Sequence, residues 1–156
     1  MKKLMTILAL VCSMNVSAQW FVSGTAGFGY LSDCFQMYLR PSVGYEFTDR
    51  WAAGIGLGMG VQTPEVYGIF DPFVRFNCWN NKKLFIDIKA KTMVFVGSEW
   101  NAANIGFVPS LRYAVNNHWQ VAGDFGLFGA QDNDGDWSPA FGFTPTNAEF
   151  SVIYKF

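Results

Sequence analysis

Eleven ionisable side chains in this sequence share one arrangement: each occupies the polar position of a segment in which apolar and polar residues alternate. They are Arg40, Arg75, Lys89, Lys91, Arg112 and Lys155 against Glu46, Asp71, Asp87, Asp124 and Glu149, six cations facing five anions. Two chemistries fit such a set, a path for ions or protons through a lumen and a ladder of buried ion pairs. The near-balance of sign favours the ladder, because a buried charge without a partner is strongly destabilising.

Other reactive residues carry less. The only histidine, His118, falls in a predicted turn beside Trp119. A barrel-type lipid-modifying enzyme generally needs a histidine with a serine or acid near the outer surface to activate its nucleophile. His118 is at the wrong end, so no catalytic residue is assigned and no cofactor is expected. Asp132-Asn-Asp134-Gly-Asp136 spaces oxygen ligands as a calcium loop begins. Position six is then Trp137 where such a loop has Gly, and position twelve is Phe143 where it has Glu. Asp132, Asp134 and Asp136 remain as candidate ligands of a low-affinity divalent-cation site in a solvated acidic turn.

The elements that must hold the eleven charges are strands. Eight segments, 20–30, 35–47, 51–61, 70–78, 84–96, 105–115, 119–127 and 146–156, put apolar residues on one parity throughout. None of the 21 charged residues beyond position 18 falls on that parity; 11 take the opposite one and 10 lie in connections. A period of two places successive side chains on opposite faces. Sustained over eight segments of this length, it predicts an all-β, eight-stranded antiparallel up-and-down transmembrane barrel, apolar outside and polar within. A soluble ligand-binding barrel also alternates, with the faces exchanged. Ala52, Gly54, Gly56, Gly58 and Gly60 decide between them: a bare stripe has no use on a water-facing surface. In a narrow lumen it makes room for Tyr38, Arg40, Phe73, Arg75, Lys89 and Lys91.

Residues 1–18 read as a secretory leader. Lys2 and Lys3 precede an apolar run from Leu4 to Val11 and a small-residue site, Val16-Ser17-Ala18. The run is too short for a spanning helix, which needs roughly 20 apolar residues. The mature chain is expected to be one domain, 19–156, with nine basic and twelve acidic side chains. That balance argues against a nucleic-acid partner, which would want a basic stripe.

Tight turns are predicted at Asp49-Arg50, Asn80 to Lys83 and Asn116 to His118, and longer loops at Thr63 to Ile69, Gly97 to Ala103 and Gln131 to Pro139. Short turns at one end and longer loops at the other match outer-membrane barrels. The loop end carries Asp33, Glu65, Glu99, Asp132, Asp134 and Asp136, and the turn end Arg50, Lys82, Lys83 and Asp49. Trp51, Trp79, Trp119, Tyr45, Tyr113, Tyr154 and Phe156 would ring the turn end as an aromatic girdle at headgroup level. Pro41, Pro72 and Pro109 fall inside predicted strands, where each needs a bulge or a place above the paired region. Phe141 and Phe143 break the alternation, which predicts a bulge near Pro145 or an extension above the membrane. Cys34 and Cys78 lie at opposite ends of the strands, beyond the roughly 7 Å that a disulfide spans, so no bridge is expected.

The run Val43-Gly-Tyr-Glu-Phe-Thr-Asp-Arg-Trp-Ala-Ala-Gly-Ile-Gly-Leu-Gly-Met-Gly60 resembles the small outer-membrane barrel families of the OmpA and OmpX type, in particular the outer membrane protein beta-barrel domain group. The terminal Tyr154-Lys155-Phe156 looks like the C-terminal aromatic signature that the barrel-assembly machinery recognises in such proteins. The resemblance implies a monomer in the bacterial outer membrane, in contact with bilayer and lipopolysaccharide. It implies a non-enzymatic structural or surface-interaction role, with any recognition through the extracellular loops. A narrow channel or small-solute transporter is the first alternative and an outer-leaflet lipid-modifying enzyme the second.

Overall fold

A computed structural model describes residues 19–31, 34–62, 65–98, 101–133, 135–142 and 148–156. The leader, Asp33, Glu99, Asp134 and the bulge expected near Pro145 lie outside them. Ten strands follow in order: β1 (Gln19–Leu31), β2 (Cys34–Glu46), β3 (Trp51–Gln62), β4 (Glu65–Asn81), β5 (Leu84–Val96), β6 (Asn101–Ala114), β7 (Trp119–Phe125), β8 (Leu127–Asn133), β9 (Asp136–Gly142) and β10 (Ala148–Lys155). Every pairing is antiparallel, and β1 closes on β10 from Phe21↔Lys155 to Gly27↔Glu149. Strands β7 and β8 form the two halves of one crossing and β9 and β10 the halves of the next, giving a closed barrel of eight crossings.

The alternation has the predicted sense. Leu39, Leu57, Met59 and Phe107 are exposed on the outer wall, each about three-fifths accessible, whereas Arg40, Asp71, Arg75, Asp87 and Glu149 are buried inside. Rings meet along the turn end: Trp20 with Tyr45 at 5.0 Å, Trp51 with Phe76 at 4.6 Å and Trp119 with Tyr154 at 4.9 Å. Two of the tight turns are held by side-chain caps. Thr48 Oγ1 accepts from the Trp51 amide at 2.9 Å, and Asn116 Oδ1 accepts from those of His118 and Trp119 at 2.9 and 2.8 Å.

Several details depart from the sequence expectations. Strand pairing extends into all three of the long loops. Residues 65–69 pair with Gly58–Gln62, Asn101–Ala103 pair with Val94–Val96, and Gln131–Asn133 pair with Asp136–Ser138. Pro41 and Pro72 need neither a slip nor a place above the sheet, whereas Pro109 falls at a register slip as expected. Leu39↔Met59 and Ser42↔Gly56 flank Pro41 in one unbroken register, and Phe70↔Val94 and Phe73↔Lys91 flank Pro72 in the same way. The ladder lapses at the proline and resumes, as a residue without an N–H requires. Pro109 faces the break between β7 and β8, where Gly126 takes φ 77°. That break switches the outward parity from Trp119 and Val121 to Phe128. Its cross-strand partner Phe141 therefore points outward too, which accounts for the irregularity seen in the sequence. A bulge between Asn77 and Trp79 aims Trp79 out beside Ile86, so it joins the girdle against the alternation of its own strand.

The glycine stripe discriminates inside from outside. A Cβ at Gly58 would meet the backbone of Leu39 and Arg40, the latter at 2.8 Å, whereas one at outward-facing Gly24 meets nothing within 4 Å. We predict that Gly58→Ala costs about 1–3 kcal/mol, the usual range for overpacking, and that Gly24→Ala is near neutral. Urea unfolding followed by tryptophan fluorescence checks the pair; equal midpoints would contradict the assignment of faces.

Candidate functional site

Alternation delivers the strand charges to the lumen, and the glycines decide how far their side chains reach. A Cβ at Gly56 would crowd the Arg40 side chain at 3.0 Å, and one at Gly54 the Phe73 ring at 2.5 Å. Gly27 and Gly60 lie beneath the rings of Tyr38 and Tyr67. Long side chains from neighbouring strands thus cross the barrel over bare backbone.

All eleven predicted lumen charges are ion-paired. At the turn end Glu46 takes Arg75 at 2.5 Å and Lys155 at 2.6 Å. Arg75 also lies 4.0 Å from Asp87, which accepts from Arg112 Nε at 2.8 Å and from Asn77 Nδ2 at 2.7 Å. In the same group Arg112 donates to Gln120 at 2.8 Å and stacks over Phe85 at 4.2 Å, and Arg75 sits over Phe21 at 5.1 Å. A separate pair joins Lys89 to both oxygens of Asp124 at 2.8 Å. A further group is built on Glu149, which receives Arg40 at 2.6 Å and Lys91 at 2.7 Å, with Arg40 Nε reaching Asp71 at 3.1 Å. The Arg40 guanidinium also contacts Met93 Sδ at 2.9 Å. Tyr38, Tyr67 and Ile69, with Phe95 packed against them, form an aromatic and aliphatic cluster beside this group.

Each of the eleven charges therefore has a counter-charge within 4 Å. Hydroxyls close the remaining wall: Ser23 bonds Ser42 at 2.5 Å, and Thr25 bonds Ser151 at 2.8 Å. Asn77, Gln120 and Met93 were not singled out from the sequence. Each holds the polar parity of its segment, so parity alone could have nominated them, but nothing in the sequence gives their partners.

The terminal aromatic pair is tied into the closing seam. Tyr154 and Phe156 meet edge to face at 5.3 Å, and the Phe156 amide donates to Trp20 O at 3.1 Å. His118 stacks on Tyr154 at 5.8 Å, with its Nδ1 3.0 Å from Lys155 O, while the Lys155 amide donates to His118 O at 2.8 Å. The geometry gives His118 a structural part in holding the last strand. Asp132 lies on the outer face of β8 opposite Ala103 and Trp137, and Asp136 opens β9. Among the described residues no three His, Cys, Asp or Glu side chains converge as metal ligands. Cys78 is exposed with its thiol free near the turn end of β4, and Cys34 begins β2 at the other end of the barrel.

No protein-family model matches this chain, and no curated protein matches it.

Losing Glu149 leaves Arg40 and Lys91 with Asp71 as the carboxylate of their group. We predict that Glu149→Leu costs about 3–5 kcal/mol, as removing one partner of a buried pair does. Lys83→Gln on an exposed turn should stay within about 0.5 kcal/mol. Denaturant midpoints compare the two, and a mild Glu149→Leu would mean that the lumen admits water.

Proposed function

We propose that this chain is an integral barrel of a bacterial outer membrane, related to the OmpA and OmpX type, with a structural or surface-interaction role and no catalytic one. The observation that carries the reading is the sorting of the wall: large apolar side chains cover the outside while the eleven lumen charges are paired within. An outer surface so apolar is unfavourable in water, and a closed sheet is one of the two architectures that satisfy all backbone groups in lipid. The aromatic contacts at the turn end suit headgroup level.

On this reading residues 1–18 direct export and the Tyr154 to Phe156 segment engages the barrel-assembly machinery. Arg50, Lys82 and Lys83 face the periplasm, and the acidic hairpins meet lipopolysaccharide outside. The protein works as a monomer, and the hairpin tips do any recognising. Because strand pairing extends into the long loops, those tips suit contact with the surrounding surface better than capture of a large receptor. The channel alternative would require the ion-paired groups to separate, since the void described between the Lys89–Asp124 pair and the Glu149 group is only about 20 Å3 counted to the centre of a water molecule.

Two measurements test the proposal. Nitroxides at Ile55 and Val74 in reconstituted vesicles should be accessible to oxygen and shielded from a water-soluble nickel chelate; accessibility to the chelate would refute the lipid-facing wall. In planar bilayers the reconstituted protein should give no stable open steps, and large sustained conductance would overturn the plugged lumen.

A further inference from the structure

Within the lumen, between the Lys89–Asp124 pair and the Glu149 group, lies a cavity of about 20 Å3 counted to the centre of a water molecule. Arg40, Arg75, Lys89 and Lys91 line it together with Asp71 and Asp124. Asp71 is 1% exposed, and its Oδ2 is held by Arg40 at 3.1 Å. Its Oδ1 is fully buried with no hydrogen-bond partner among the described residues.

The chemistry of the lining restricts the occupant. Held as a carboxylate by Arg40, Asp71 offers only acceptor oxygens, so whatever meets the orphan one must carry a hydrogen-bond donor; a simple anion fails. Four cations surround the space against two carboxylates, so a metal cation or ammonium fails as well. An ammonium has three N–H groups, and Lys91 directs one at Glu149 at 2.7 Å. The occupant can therefore accept from a lysine while it donates to Asp71. Size closes the choice, since a cavity needs roughly 10–15 Å3 on this measure to hold one water and two to four polar partners to retain it.

We propose that Asp71 Oδ1 holds a single long-lived water in mid-lumen, shared with the ammonium of Lys89 or Lys91, which joins the Lys89–Asp124 pair to the Glu149 group. The site depends on the lumen geometry and not on what surrounds the outer wall. It completes the hydrogen bonding of the one lumen carboxylate left with an unpartnered oxygen among the described residues, Asp132 with a like oxygen lying on the outer face of β8.

A crystal structure of the detergent-solubilised protein, at a resolution that shows ordered solvent, tests it directly. The expected result is one isolated peak about 2.7–3.2 Å from Asp71 Oδ1, within the same distance of a lysine Nζ. A lysine turned onto Oδ1 with no peak between, or an empty cavity, overturns the site. In solution, 17O relaxation dispersion of the unmodified protein should contain a long-lived component of at least one water, and a flat profile would reject the proposal independently.

Discussion

Pairing β1 with β10 is the constraint from which the rest follows. Once the sheet closes, each crossing must present one face to a narrow interior and the other to the outside. Side chains on the two parities then meet opposite demands. Inside, a charge must find a partner within reach, because there is too little water to solvate it. Outside, apolar side chains recur along the crossings, with Asp132 an outward charge near the loop end of β8. The seam is clasped at its foot by Phe156 on Trp20, while His118 holds Lys155 from the β7 side of the same strand.

The interior solves its electrostatic problem by short range and by sharing. Glu46, Asp87 and Glu149 each serve two cations, and Arg40 and Arg75 each serve two carboxylates. Sharing lowers the number of side chains that must be frozen for each contact, which limits the entropy cost of ordering them. The glycine stripe of β3 makes this possible by letting Arg40 and Phe73 lie flat across the backbone. Packing and electrostatics are one arrangement here: a side chain at Gly56 would displace the guanidinium that joins Asp71 to Glu149.

Backbone irregularities place the exceptions. Gly126 and the bulge after Asn77 each exchange inside for outside along a strand, and the outward aromatics Phe128, Phe141 and Trp79 depend on them. Pro41 and Pro72 show the opposite economy, since their strands keep register and forgo ladder bonds at one step. In the proposed bilayer setting such lapses are tolerable because pairing resumes on both sides.

The strand periodicity was legible in the amino-acid order because a residue's face depends on parity alone. The same property gave the membership of the ionic lumen, from Arg40 to Lys155, and the role of the glycines at 54, 56, 58 and 60. Partners were not legible: which cation meets Glu149 depends on how far each strand is staggered against the next, a property of the closed ring and of no single segment. The hairpins at residues 65–69, 101–103 and 131–138 were hidden for a related reason, since their pairing is stabilised by cross-strand contacts that local composition does not encode. The sequence by itself determined an alternating closed sheet and which side chains it would enclose. Tertiary structure decided register, bulges and the grouping of charges, because these arise between strands distant along the chain.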